Sequence, residues 1–325
     1  MKLLPYLLAA SAALGGCIAV GPTTRITFEA PDAYPEGVTY DAGSGAYYVS
    51  SARLGTVGKV TPQGVYSAFY TDNSLKSTYG VRLHPDGKRL FVCAGDANYS
   101  RFTTPATRRK QARLLSFDVA SGRKLTDVDL SGLVPGEHFP NDIAFDGQGN
   151  AYVTDSFAHA IYKVTPEGAA SVFAKSPLFE TKGIGINGIV YHAGGFLLVD
   201  NSNTGQLYKV PLASPQQVQK VRLDQYYLGA DGLVLPAADK LDMVVNGGND
   251  KIYQLQSDDN WQSARLAATT LIADRFTYPA TATLNGTDLW VMNAKFNELA
   301  DSNAVPSKRF AIQQAVLKPV PKPKK

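Results

Sequence analysis

Residues 139–168 read FPNDIAFDGQGNAYVTDSFAHAIYKVTPEG, and this stretch decides the fold. A short apolar strand runs into a Gly/Asp turn. A second apolar strand ends in Thr154-Asp155, a third follows as AIYKV, and TPEG turns the chain before a weaker fourth strand, SVFAK. The same plan recurs upstream as YPEGVTYDAGSGAYYVSSARLGTVGKVTPQG (34–64) and TYGVRLHPDGKRLFVCAGD (78–96). Downstream it recurs as GINGIVYHAGGFLLVDNSNTGQLYKVPL (185–212), GADGLVLPAADKLDMVVNGGNDKIYQL (229–255) and YPATATLNGTDLWVMNA (278–294). A period of roughly 40–50 residues is that of a propeller blade. Six units without intervening helices predict an all-β protein, a six-bladed β-propeller over residues 25–317. The second unit carries an inserted basic segment, 98–117, read as a surface loop.

Aligned on the first strand of each unit, six residues fall in one register: Glu36, Tyr79, Asn141, Asn187, Asp231 and Ala280. Innermost strands of a propeller surround the central channel, so equivalent positions converge on one axis. Four of the six carry carboxylate or amide oxygens amid apolar neighbours. Taken singly, Glu-Gly, Asn-Asp, Asn-Gly and Asp-Gly are ordinary turn dipeptides. In repeat register they make a set of two carboxylates and two amides, which suits a hard cation such as Ca²⁺, or else Mg²⁺ or Mn²⁺. No His/Cys cluster is at hand to favour zinc. The apolar positions that follow (Val38, Ile143, Ile189, Leu233) read as core. Asp142 is expected to turn away from Asn141. Ser50, Asp155, Asp200 and Asn246, at the ends of second strands, are candidates to support the ligands.

On these motifs the chain resembles the regucalcin/gluconolactonase family, also called senescence-marker-protein or luciferin-regenerating-enzyme-like, whose members are calcium-dependent six-bladed propellers. The resemblance runs from about Pro31 to Leu317 and rests on Pro35-Glu36-Gly37, Pro140-Asn141-Asp142, Asn187-Gly188 and Asp231-Gly232. It implies that Glu36, Asn141, Asn187 and Asp231 hold the catalytic divalent cation and that the activity is hydrolysis of lactones or related esters. Sugar-lactone members carry an arginine two residues before the blade-three Asn. Phe139 stands there in this chain, which implies a more apolar ring or acyl chain. Three residues after Asp231, where diisopropylfluorophosphatase has a second acid, this chain has Val234. Phe139 and Tyr79 are the candidate substrate contacts. Asp231 is the candidate general base and His138, beside the Phe139-Pro140-Asn141 turn, a candidate proton shuttle.

The 325 residues carry a formal net charge of +4, much of it in Lys2 and the tail KPVPKPKK, which leaves a nearly neutral body and argues against a nucleic-acid partner. That tail, 318–325, is expected to be disordered. Residues 1–17, MKLLPYLLAASAALGGC, read as an export signal, and Leu14-Gly15-Gly16-Cys17 resembles a lipobox, so the expected location is the bacterial cell envelope or periplasm as a lipoprotein, or the secreted fraction. A membrane contact is then expected only through a lipid on Cys17. Cys93, in the strand RLFVCAG, reads as a small buried hydrophobe. The expected protein is a monomer acting on a small lactone or ester. The alternative is a non-enzymatic propeller that binds a protein or polysaccharide at the cell envelope.

Overall fold

The computed structural model describes residues 24–301 and 303–321. The expected leader and Cys17 lie outside the described residues. Six sheets stand in a ring, antiparallel except for the short parallel pairing of Arg222–Leu223 with Ser263 and Ala264 at the edge of blade five. Blade one comprises Val38–Asp41, Ala46–Val49, Val57–Val60 and Tyr66–Tyr70. Blade two comprises Ser77–Leu83, Arg89–Gly95, Ala112–Asp118 and Lys124–Asp129. Blade three is built by Pro140–Phe145, Ala151–Asp155 and Ala160–Val164, within the stretch that announced the repeat, and by Ala170–Lys175 just after it. Blade four uses Ile186–His192, Phe196–Asn201, Leu207–Pro211 and Gln219–Lys220. Blade five uses Ala230–Ala237, Lys240–Val245, Lys251–Gln256 and Ser263–Thr269.

Blade six takes only three consecutive strands, Pro279–Asn285, Asp288–Asn293 and Arg309–Ala315. Its fourth is Arg25–Glu29, paired antiparallel from Arg25↔Gln313 to Glu29↔Arg309. The first strand of the chain thus closes the ring. Lys318–Pro319 fall in the segment expected to be disordered. They instead add a short edge pair to blade five, against Ala268 and Thr269, and the Val320 N–H continues it to the Ala267 carbonyl at 2.9 Å. An unpaired edge offers those hydrogen bonds, and composition alone does not register it.

Burial falls from the axis outward. Every residue of Pro140–Phe145 is buried, whereas Lys124–Asp129 at the rim of blade two is mostly exposed. Val38, Ile143, Ile189 and Leu233 are fully buried, as expected of the inner face. Aromatic rings fill the wedges between sheets, for example Tyr48 on Phe69 and Phe69 on Phe117, with centroids 4.8 and 6.1 Å apart. Tyr48 and Phe117 are fully buried and Phe69 partly so; full burial of such a ring contributes about 1.5–3 kcal/mol by transfer from water. The result is a rigid ring whose inner strands hold their side chains in fixed positions.

Candidate active site

The innermost strands share one irregularity. Their pairing with the second strand breaks between Thr78 and Val81, Pro140 and Ile143, Ile186 and Ile189, Ala230 and Leu233, and Pro279 and Ala282. The two residues in each gap are Tyr79-Gly80, Asn141-Asp142, Asn187-Gly188, Asp231-Gly232 and Ala280-Thr281. In blade one, Glu36-Gly37 stand just before the first pair, Val38↔Val49. A bulge re-aims a side chain out of the pleat, and here it does so at one level around the axis. The glycines serve this contact. A Cβ on Gly188 would lie 2.1 Å from the Asp231 carbonyl oxygen, and one on Gly37 2.4 Å from that of Tyr79. What reads singly as a turn dipeptide is a point where one blade touches the next.

A cavity of about 300 Å³ opens over this level, lined by all four candidate ligands, Glu36, Asn141, Asn187 and Asp231. Tyr99, Phe139, Tyr278 and Phe296 give it aromatic walls, and Lys182, Ile184 and Asn203 stand on the blade-four side. Glu36, Asn141 and Asn187 are buried, and Asp231 is partly so.

The amides are locked in one orientation. Asn141 Nδ2 donates to Ser156 Oγ at 3.0 Å, and that hydroxyl donates to the Ile186 carbonyl at 2.7 Å. Asn187 Nδ2 donates to Ser202 Oγ at 2.8 Å, and Ser202 donates to the Ala230 carbonyl at 2.6 Å. In blade five, Asn246 Nδ2 donates to Asp231 Oδ2 at 2.6 Å and to the Pro279 carbonyl at 3.0 Å. With their NH₂ groups engaged, the amides turn their oxygens inward, where Asn141 Oδ1 and Asn187 Oδ1 are buried without any partner. Glu36 Oε2 is in the same condition. A buried acceptor without a donor costs about 1–3 kcal/mol. Orphan oxygens from three blades at one cavity, with a carboxylate from a fourth, fit a hard cation. No group of three or more His, Cys, Asp or Glu side chains placed to hold a metal occurs among the described residues, so the set stands on mixed carboxylate and amide oxygens.

Electrostatics point the same way. Burial pushes the Glu36 carboxyl well above its ordinary range, and the charges of Asp231 and Asp142 push it further, while Arg82 pulls it down. Burial raises Asp231 to about 7 against the opposing hydrogen bond from Asn246. Asp142 is buried and paired with Arg82 of blade two at 3.0 Å, turned from the cavity as expected. A cation would relieve the repulsion among these acids.

The other expected residues divide. Phe139 lines the cavity. Tyr79 does not: it is fully buried behind Phe139, ring centroids 4.7 Å apart, and its hydroxyl accepts the Ala97 N–H at 2.8 Å. His138 also stays outside the cavity. It is buried, with Nδ1 2.7 Å from Asp155 Oδ2. Asp155 further accepts the N–H groups of Phe139, Phe157 and Ala158 and the Tyr162 hydroxyl. The pair pins the loop that presents Phe139; a proton shuttle would have to reach the cavity, and His138 does not.

The supporting residues sit in three registers, not one. Ser50 aligns with Thr154 and Asp200, whereas Asp155 aligns with Asn201, and Asn246 with Ser156 and Ser202. The serines that orient the amides therefore lie beyond the aspartates the sequence singled out, Ser156 one residue after Asp155 and Ser202 two after Asp200. Their signal was a spacing of fifteen residues from each candidate ligand (141 to 156, 187 to 202), which Asn246 shares with Asp231.

No protein-family model matches the chain, and no curated protein sequence does. Solved structures do match in fold. The major Malassezia sympodialis allergen Mala s 1 superposes with TM-score 0.71 at 18% identity over 92% of this chain and 97% of that one. A luciferin-regenerating enzyme gives 0.60 at 15% identity over 90% and 97%. Virginiamycin B lyase from Staphylococcus aureus gives 0.56 at 13% identity over 90% and 100%.

Proposed function

We propose that this propeller is a divalent-metal-dependent hydrolase of lactones or related esters, with Ca²⁺ as the first candidate metal. The observation that carries the reading is the convergence of orphan oxygens from Glu36, Asn141 and Asn187 at one cavity beside Asp231. Those four residues would hold the cation, which when bound supplies a Lewis acid for an ester carbonyl. The chain's own groups do the rest. Ser156 and Ser202 hold the amide oxygens toward the ligand position. Asp231, one oxygen anchored by Asn246, is placed to take a proton from an attacking water. Phe139 and Phe296 line the cavity with aromatic surface that excludes water and favours an apolar ring or acyl chain. Export through the leader, with or without a lipid on Cys17, belongs to the same reading.

The test is a panel of lactones and aryl esters, with and without EDTA, for wild type, Glu36→Gln and Asp231→Asn. Expected is a loss of about 10²-fold or more in both variants and on chelation. Undiminished activity in all three would sink the metal reading. Ca²⁺ binding, seen as a raised Tm, without turnover of any ester would favour a non-enzymatic binding propeller, and an unsaturated product in place of a hydroxy acid would indicate elimination.

A further inference from the structure

Two tyrosines in the cavity have no structural task for their hydroxyls. Tyr34, Tyr79, Tyr152, Tyr162, Tyr208 and Tyr227 each engage a protein group through the phenolic oxygen. Tyr99 and Tyr278 line the cavity, and no hydrogen bond to either phenolic oxygen exists among the described residues. They arrive from separate segments, Tyr99 from the insertion between the second and third strands of blade two, and Tyr278 from the turn entering blade six. Phe296, from the insertion of blade six, holds both, with ring centroids 5.2 Å from Tyr99 and 6.1 Å from Tyr278.

The Tyr278 backbone is left-handed, with φ 46°, a conformation costly for a bulky side chain. It is held there by the Tyr278 N–H to Asp250 Oδ2 at 2.9 Å and the Ala294 N–H to the Tyr278 carbonyl at 3.0 Å. Tyr34, the equivalent residue at the entry to blade one, has the same φ of 46°, but its hydroxyl is taken by Glu298, whereas that of Tyr278 is left to the cavity. Two residues on, Ala280 occupies the blade-six bulge and leaves the space beside the carboxylates open. Burial, then the charges of Asp231 and of Tyr99, hold the Tyr278 phenol at about 12; burial and the charge of Asp231 raise Tyr99 also. Near neutral pH both remain phenols, equipped to donate.

We propose that Tyr99 and Tyr278 are catalytic residues that donate a hydrogen bond, and then a proton, to the oxygen that departs when the ester bond breaks. The inference rests on the hydrolase reading above. Water adds to the acyl carbon, and its proton passes to Asp231. The acyl C–O bond then breaks with its electron pair on the leaving oxygen, which takes a phenolic proton. The phenolate recovers a proton from Asp231 through water, so that ester and water become acid and alcohol with no other reactant.

The test compares Tyr99→Phe, Tyr278→Phe and the double variant on an alkyl lactone and on the 4-nitrophenyl ester of a matching acyl chain, whose leaving group departs without a proton. In the double variant the lactone kcat should fall about 10²-fold or more while the nitrophenyl ester stays within about threefold. Tm and the Ca²⁺ midpoint should match wild type, because the lost hydroxyls held nothing in the fold. Parallel losses on both substrates, or undiminished lactone turnover, would overturn the assignment alone. A wild type inert on both substrates would overturn the hydrolase reading and this assignment with it.

Discussion

Blades three and four present the same pair to the axis, an asparagine held by a serine fifteen residues on, yet differ in the residue beside it. In blade three, Thr154 Oγ1 accepts the Asp142 N–H at 3.1 Å and donates to the Asn187 carbonyl of the next blade at 2.6 Å. In blade four the equivalent residue is Asp200. Its Oδ1 accepts the Gly188 N–H at 3.1 Å, but its Oδ2 is buried without a partner. Burial and the charge of Asp231 drive the Asp200 carboxyl well above its ordinary range. A hydroxyl therefore completes the blade junction unaided. A carboxyl in the same slot is left short by one hydrogen bond, a cost a purely structural ring has no reason to carry.

The residue after each asparagine sharpens the contrast most. Blade three carries Asp142 there, whereas blade four carries Gly188 pressed on the Asp231 carbonyl. Gly188→Ala should destabilise the protein by about 3 kcal/mol through overpacking of backbone on backbone. Gly147→Ala, in open space on a hairpin, is the control and should leave the urea midpoint unchanged. Equal midpoints for the two variants would show that the blades do not meet as described.

Next in size is Asp200→Thr, which copies blade three into blade four. The metal-free protein should gain about 1–2 kcal/mol as the orphan oxygen disappears. If Asp200 supports the cation site, the rise in Tm on adding Ca²⁺ should shrink. A destabilised Asp200→Thr would break the equivalence with Thr154.

The smallest effect concerns His138. Burial pulls its pKa down, but the hydrogen bond and charge of Asp155 outweigh burial, so the folded value lies above the unfolded one. Folding then binds a proton. The contribution is fully present below the unfolded pKa and is lost as pH rises through the folded value. Melting from about pH 6 to 9 should show a decline that His138→Gln removes. An unchanged slope would exclude His138 as its source.

The four candidate ligands were legible because they repeat: a shared register converts a linear pattern into a shared axis. Phe139 was legible by its place beside Asn141. What stayed hidden depended on the bulges. Each inserts a residue into a ladder that sequence alternation treats as regular. Asp155 and Asp200 therefore looked equivalent, although they stand one position apart, and Ser156 and Ser202 went unnoticed. His138 reads as a candidate proton shuttle because the partner that holds it away from the cavity, Asp155, lies seventeen residues on, in a neighbouring strand. Tyr99 lies in an insertion outside the repeat, where register offers no guide; Tyr278 opens the sixth unit as Tyr34 opens the first, and register does not tell the hydroxyl held by Glu298 from the one left to the cavity.

The strand Arg25–Glu29 carries a kinetic consequence. It meets Arg309–Ala315 across 288 residues of chain, as in the Arg25 to Gln313 side-chain contact. Loop closure on that scale is slow and contributes nothing until the pair forms. Blade six holds Tyr278, Ala280 and Phe296, so the cavity reaches its final shape only when the two ends of the ring are joined. Before that pair forms the ring is open, and the candidate cation site is not yet assembled. Closing that seam and becoming competent for ligand are, for this chain, one event.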